Sequence, residues 1–313
     1  MPLSSDPEIV KLSHDLLDTT QVINGKHPGF RHLHARGILL TGTFTPTSEA
    51  ASLSSAQHFN QPSTPVTARF SSSTGIPEIP DTDPNANPRG LAIRFNLAEH
   101  IHTDIISHST PLFPTRTGSE FLELLKAIVA SPPGTASPTE IEKFLGSHPA
   151  ALAFVQAAKP APASFGKEAY YGVNAFKLVS ESGTVTHVRY RISPVAGEEN
   201  VSDEALKEKD ANFLYDELSG RLGEGPISFR VSAQIAEEGD TTNDATVRWP
   251  ENRKLVELGT IKLDSLVQDD AKLQKQIIFD PIPRIKGVEP SDDPLLEVRA
   301  TLYLIGGKER RAE

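Results

Sequence analysis

The sequence predicts an α+β fold in which a closed antiparallel β-barrel is decorated with helices, and three observations carry that prediction. Short apolar, β-branched runs recur between residues 37 and 263, bounded by loops rich in Ser, Thr and Pro. Amphipathic stretches with helical spacing stand between them and at both ends. The 313 residues include 25 prolines and 21 glycines, which favours extended connections over a helical bundle. Many strands with helices inserted among them suit a barrel better than a layered parallel sheet. No internal repeat, coiled-coil heptad or low-complexity tail divides the chain, so a single domain over residues 1–313 is expected.

Ser5-Asp6-Pro7-Glu8 has the residue types of a helix start, and Ile9, Val10, Leu12, Leu16 and Leu17 form a stripe at helical spacing. The spacing predicts a helix over 6–20 and a turn at Asn24-Gly25. Barrel strands with helical insertions are expected over 28–290. Strand patterns cover 37–45, 66–71 and 91–97, with a shorter one at 104–107. Phe121, Leu124, Leu125, Ile128 and Val129 share one face of a helix predicted over 118–131. Residues 132–162 read as a proline-rich surface crossover around a helical piece at 139–145. Glu181-Ser182-Gly183-Thr184 joins strands at 175–180 and 185–192 as a hairpin. A helix over 202–220, capped by Ser202, precedes strands at 227–235 and 255–263. Finally, Ser291-Asp292-Asp293-Pro294 supplies caps for a helix over 294–305, which Gly306-Gly307 is expected to end.

Composition narrows the functional classes. A formal charge of −10 argues against nucleic acid, and nothing resembles a polybasic membrane patch or an apolar membrane span. Because cysteine is absent, disulfides, thiolate haem ligation, zinc–cysteine sites and iron–sulfur clusters are all excluded. The first residues lack a basic start followed by an apolar run, so a cytoplasmic location is expected.

Two stretches carry chemistry. In Phe30-Arg31-His32-Leu33-His34-Ala35-Arg36-Gly37, His34 precedes a strand and stands between two arginines. An imidazole can take and return a proton near neutral pH, and guanidinium suits an anionic ligand. A structural histidine beside solvated arginines is the other reading of the octapeptide. Near the end of the chain, Arg299 and Tyr303 lie one helical turn apart. There the arginine would hold the phenol as phenolate, or simply pack on a half-buried ring. Tyrosinate is one of the few protein ligands of haem iron.

Four segments in order resemble those of haem catalases: the His34 octapeptide; Arg69-Phe70-Ser71 with Asn87-Pro88-Arg89-Gly90-Leu91-Ala92-Ile93-Arg94-Phe95; the stretch from Asp104 to Phe113; and Leu296-Glu297-Val298-Arg299-Ala300-Thr301-Leu302-Tyr303. The resemblance runs from about residue 18 to 311, and it implies haem b inside an eight-stranded barrel. It also implies Tyr303 as the iron ligand, Arg299 beside it, and Arg31, Arg69 and Arg310 on the haem propionates. Phe121 would pack on the porphyrin, and Ser71 would hold the distal His34. His108 falls where these enzymes place a distal asparagine; a histidine there can titrate and reaches differently. Asn87 replaces a channel aspartate.

The chain is shorter than ordinary catalases at both ends, so it resembles the minimal, catalase-related peroxidase branch. The implied activity is reduction of hydrogen peroxide or organic hydroperoxides by a small organic donor, with weak catalase activity and His34 as proton shuttle. Rival readings are a lipid hydroperoxide isomerase of the allene oxide synthase type, a non-enzymatic haem protein, and a non-haem metal site at His32-x-His34 or His100-x-His102. The isomerase carries threonine and asparagine where Leu33 and His108 stand here. His100 and His102 are expected in a surface loop, and no role is assigned to His14, His27, His58, His148 or His187. A homodimer is expected by analogy.

Overall fold

Side-chain alternation along the strands decides where the core lies. A computed structural model describes residues 2–313. Its strands are β1 (Gly37–Pro46), β2 (Thr64–Ser71), β3 (Gly90–Ala98), β4 (Ile101–His108), β5 (Tyr170–Tyr171), β6 (Phe176–Val179), β7 (Val185–Pro194), β8 (Ile227–Ile235), β9 (Leu255–Leu266) and β10 (Val288–Pro290). Eight of them close an antiparallel ring in the order β1-β2-β3-β4-β5-β7-β8-β9, with β9 returning to β1. β6 lies along the first half of β7 and carries β10 on its other edge. The expected eight-stranded barrel is therefore present.

Ala68 and Phe70 of β2, Leu40 and Phe44 of β1, and Ile93 and Phe95 of β3 join one buried apolar cluster with residues of β7, β8 and β9. The period of two places Arg69 and Ser71 on the opposite face. Aromatic rings fill the interior: Phe44 meets Phe95 edge-on at 5.1 Å, and Phe70 stacks on Phe165 at 5.0 Å. An interior this close-packed has no space for a large planar ligand. The expectation of haem inside the barrel is corrected accordingly; the usable cavity lies on the outer face of β2, β3 and β4.

Helices complete the fold. The set comprises α1 (Pro7–Asn24), α2 (Ser48–Leu53), α3 (Gly118–Val129), α4 (Glu140–Ser147), α5 (Pro149–Gln156), α6 (Asp203–Leu206), α7 (Phe213–Glu224), α8 (Asp270–Gln276) and α9 (Leu295–Ala312). Of these, α1, α3 and α9 are the ones that face this cavity. α1 begins where its residue types predicted: Asp6 accepts from the Glu8 N–H at 2.8 Å, with Pro7 in the first turn. It runs past residue 20 to Asn24, where Gly25 at φ +83° ends it. Leu16, Leu122, Leu125 and Val298 pack α1, α3 and α9 together.

Other boundaries also differ from the sequence reading. α9 continues through Gly306 and Gly307 for 18 residues in all. These glycines permit close packing rather than termination, since a Cβ on Gly307 would overlap Ile278 and one on Gly306 would press on Leu17 and His32. The helix expected over 202–220 is split into α6 and α7, because Lys207-Glu208-Lys209-Asp210 offers nothing to bury and the Leu214 N–H is claimed by buried Asp81 at 2.9 Å. β4 starts at Ile101, so His102 is a half-buried strand residue opposite Asn96 rather than part of a loop. Among the described residues, no helix is long and apolar enough to cross a membrane.

Candidate functional site

Between the outer face of β2–β4 and helices α1, α3 and α9 lies a cavity of about 250 Å³. His34, His108, Ser71, Arg31, Arg69, Phe121, Arg299, Tyr303 and Arg310 all line it. The structure thus gathers the nine residues singled out in the sequence into one enclosure.

The segment leading into β1 and the end of β4 contribute the two imidazoles. His34 takes φ +53°, a left-handed conformation that few side-chain-bearing residues adopt, and its N–H donates to the Ser73 carbonyl at 3.1 Å. Its Nδ1 lies 3.0 Å from Ser71 Oγ. Gly90 makes that pairing possible, because a Cβ there would sit 2.9 Å from His34 Nδ1 and closer still to Ser71 Oγ. Burial first, then the charges of Arg69, Arg31 and Arg299, push His34 down to about 3, so it is neutral. His108, the last residue of β4, is likewise pushed down to about 3, by burial and then by His34, Arg299 and Lys159.

α9 contributes the phenol. Arg299 Nη2 donates to Tyr303 Oη at 3.2 Å, and Arg299 Nη1 donates to Asn174 Oδ1. Asn174 Nδ2 in turn donates to Asp293 Oδ2 at 2.8 Å, while Asp293 Oδ1 accepts the Leu295 N–H at 3.0 Å. The group that caps α9 thereby anchors the arginine that bonds the phenol. Asp293 was visible in the sequence only as a helix cap; its joint role with Asn174 needs the tertiary fold.

At the third wall, Arg31, Arg69 and Arg310 converge without a carboxylate within ion-pair distance among the described residues. Arg31 and Arg310 share the Ile277 carbonyl, at 3.1 and 2.7 Å. Arg69 donates to Gln274 Oε1 at 2.8 Å and to the Ala35 carbonyl at 3.1 Å, and only a glycine at position 37 leaves space for its guanidinium. Burial and then the neighbouring guanidiniums of Arg69 and Arg310 hold Arg31 well below the ordinary arginine range. Burial moves Arg69 to about 10, and burial with the Arg69 charge moves Arg310 to about 10. Such a trio repels itself and is stabilised by an anion of more than one charge.

The two-histidine motifs do not form paired ligands. His32 turns to Glu309 at 2.9 Å and Gln21 at 3.2 Å, whereas His34 turns to Ser71. His100 is exposed, and among the described residues no cluster of three metal-binding side chains occurs. Asn87 donates to the Lys159 carbonyl at 3.2 Å and is absent from the cavity lining.

The catalase family model matches residues 8–311. The chain is 35% identical over 290 residues to a catalase-related peroxidase of Mycolicibacterium paratuberculosis, covering 92% of this chain and 91% of the relative. It is 31% identical over 290 residues to a catalase-related peroxidase of Synechococcus elongatus, covering 91% and 85%. In structure it is similar to a fungal catalase, with a TM-score of 0.80 and 22% identity over 95% of this chain. Catalase A from Saccharomyces cerevisiae gives a TM-score of 0.79, also at 22% identity. The chain spans 63% and 64% of the length of these two solved proteins. With the family model matching nearly the whole chain and a relative 35% identical over 92% of it, the chain belongs to the catalase family.

Proposed function

We propose that this chain is a haem-dependent peroxidase that reduces hydrogen peroxide or organic hydroperoxides with a small organic donor and retains weak catalase activity. The observation that carries this reading is one cavity holding a phenol, a neutral imidazole and three guanidiniums without carboxylate partners. The residues fit haem b: Arg31, Arg69 and Arg310 match its two carboxylates, Phe121 offers a ring face, and Tyr303 offers an oxygen ligand of a type known for haem iron. When bound, haem supplies the redox-active iron through which electrons pass from donor to peroxide.

The protein's own part is proton management. His34 Nε2 has no protein partner and is not sealed off, so it opens to the cavity as a free acceptor. It takes the proton of one peroxide oxygen and returns it to the other, which then leaves as water; such help is typically worth roughly 10²–10⁴-fold. Ser71 supports this role, because its hydroxyl oxygen can accept from Nδ1–H, and a neutral ring protonated at Nδ1 leaves Nε2 bare to take the proton. Arg299 fixes Tyr303 Oη and is itself fixed by Asn174. We assign the enzyme to the cytoplasm as a one-domain subunit of a homodimer, with peroxide and reductant as its partners and no role for nucleic acid or membrane.

Haem-supplemented protein is expected to show a Soret band that Tyr303→Phe loses or shifts, with peroxide turnover faster when a phenolic donor is present than with peroxide alone. A wild-type chain that takes up no haem would end this reading. A chain that binds haem but converts a fatty acid hydroperoxide without any reductant would replace it with isomerisation.

A further inference from the structure

The two cavity histidines differ in what their Nδ1 atoms face. His34 Nδ1 faces the Ser71 hydroxyl, which both donates and accepts. His108 Nδ1 faces the backbone N–H of Thr110 at 3.2 Å, and a backbone amide nitrogen only donates. An imidazole nitrogen that accepts must be bare, so the single proton of neutral His108 is on Nε2. Protonating Nδ1 would set two donors against each other in a buried place. His108 Nε2 has no protein partner and is not sealed from open space, and the ring lines the cavity beside His34. It therefore presents an N–H to whatever occupies the space next to His34.

We propose that His108 is locked as the Nε2–H tautomer and serves as a permanent hydrogen-bond donor to the substrate oxygen, so that the pocket contains one base and one donor rather than two bases. The assignment rests on the haem peroxidase reading for its substrate but not for its tautomer. Burial reinforces the lock, since both rings are kept neutral. A donor that cannot accept does not compete with His34 for the peroxide proton. It can, however, stabilise the oxygen on which negative charge collects. An asparagine amide could do the same, and a residue without a donor could not.

The test has two readouts. Long-range proton–nitrogen NMR on histidine-labelled protein, reconstituted with diamagnetic zinc protoporphyrin, is expected to show His108 with a protonated Nε2 and a bare Nδ1, unchanged from about pH 5 to about pH 8. His108→Asn identifies the signal. In the ferric haem protein, azide affinity is expected to stay within about threefold in His108→Asn and to fall by about tenfold or more in His108→Leu. An Nδ1–H tautomer, a titration inside that pH range, or full azide affinity in His108→Leu would overturn the proposal. If His108→Leu does not fold, the wild-type tautomer still decides. Wild-type protein that shows the expected tautomer but has no peroxidase activity would remove the functional reading and leave this one standing.

Discussion

His34 at the cavity and His58 inside the barrel are buried to a similar degree of electrostatic effect: desolvation pushes each down to about 3. Their surroundings differ completely. His58 is 2% exposed and packed between Phe59, 3.9 Å away, and Phe95, 4.7 Å away, and its Nδ1 has no partner. His34 has a hydroxyl on one nitrogen and open cavity on the other. A depressed pKa alone does not mark a functional residue; access to open space and a hydrogen-bond partner on the other ring nitrogen do. The barrel interior is filled and apolar, whereas its outer face carries three buried guanidiniums with no carboxylate at ion-pair distance among the described residues.

Substitutions on the two sides of the barrel wall should therefore separate chemistry from stability. His34→Ala is expected to lower peroxide turnover by roughly 10²–10⁴-fold with haem content and thermal midpoint little changed. Full turnover in that variant would show that the cavity imidazole is as inert as the buried one. Gly90→Ala probes the wall itself. Its added Cβ would collide with Ser71 Oγ and His34 Nδ1, so the base should lose its position without being removed. A displacement of that size is expected to slow turnover by about 10²-fold while the Soret band persists. Equal rates in Gly90→Ala and wild type would mean that the His34–Ser71 bond does not position the base.

The legibility of this molecule follows the range of the interactions involved. Strand alternation is local, so Arg69 and Ser71 on one face of β2, with Phe70 on the other, could be read from three consecutive residues. Helix caps are equally local, and Asp6 was recognisable from its neighbours. Gly306-Gly307 misled for the same reason: viewed locally, two glycines stop a helix, and only the contact with Ile278 shows why they do not. His34 and Tyr303 share a cavity through contacts far apart in sequence, so no local pattern joins them; only the resemblance did. The Asn174–Asp293 support behind Arg299 and the tautomer of His108 depend on single tertiary or main-chain hydrogen bonds, which no residue type announces.

The smallest expected effect lies in the barrel. The folded state favours neutral His58, whereas an unfolded histidine takes up a proton near 6.5. Above that pH His58 is neutral in both states and does not change the stability. As pH falls from about 6.5 towards the folded value of about 3, the unfolded chain binds a proton that the folded one refuses, and stability drops by up to about 1.4 kcal/mol per pH unit for each such histidine. His34 and His108 contribute with the same sign. Replacing His58 with Leu removes one of these contributions, along with a buried nitrogen that has no partner among the described residues. His58→Leu should therefore flatten the loss of stability between about pH 6 and about pH 4 by up to about 1.4 kcal/mol per unit, with peroxide turnover unchanged. Denaturant unfolding at several pH values measures the slope. An unaltered slope would mean that His58 finds a proton acceptor on acidification, and that the aromatic core yields where its packing says it should not.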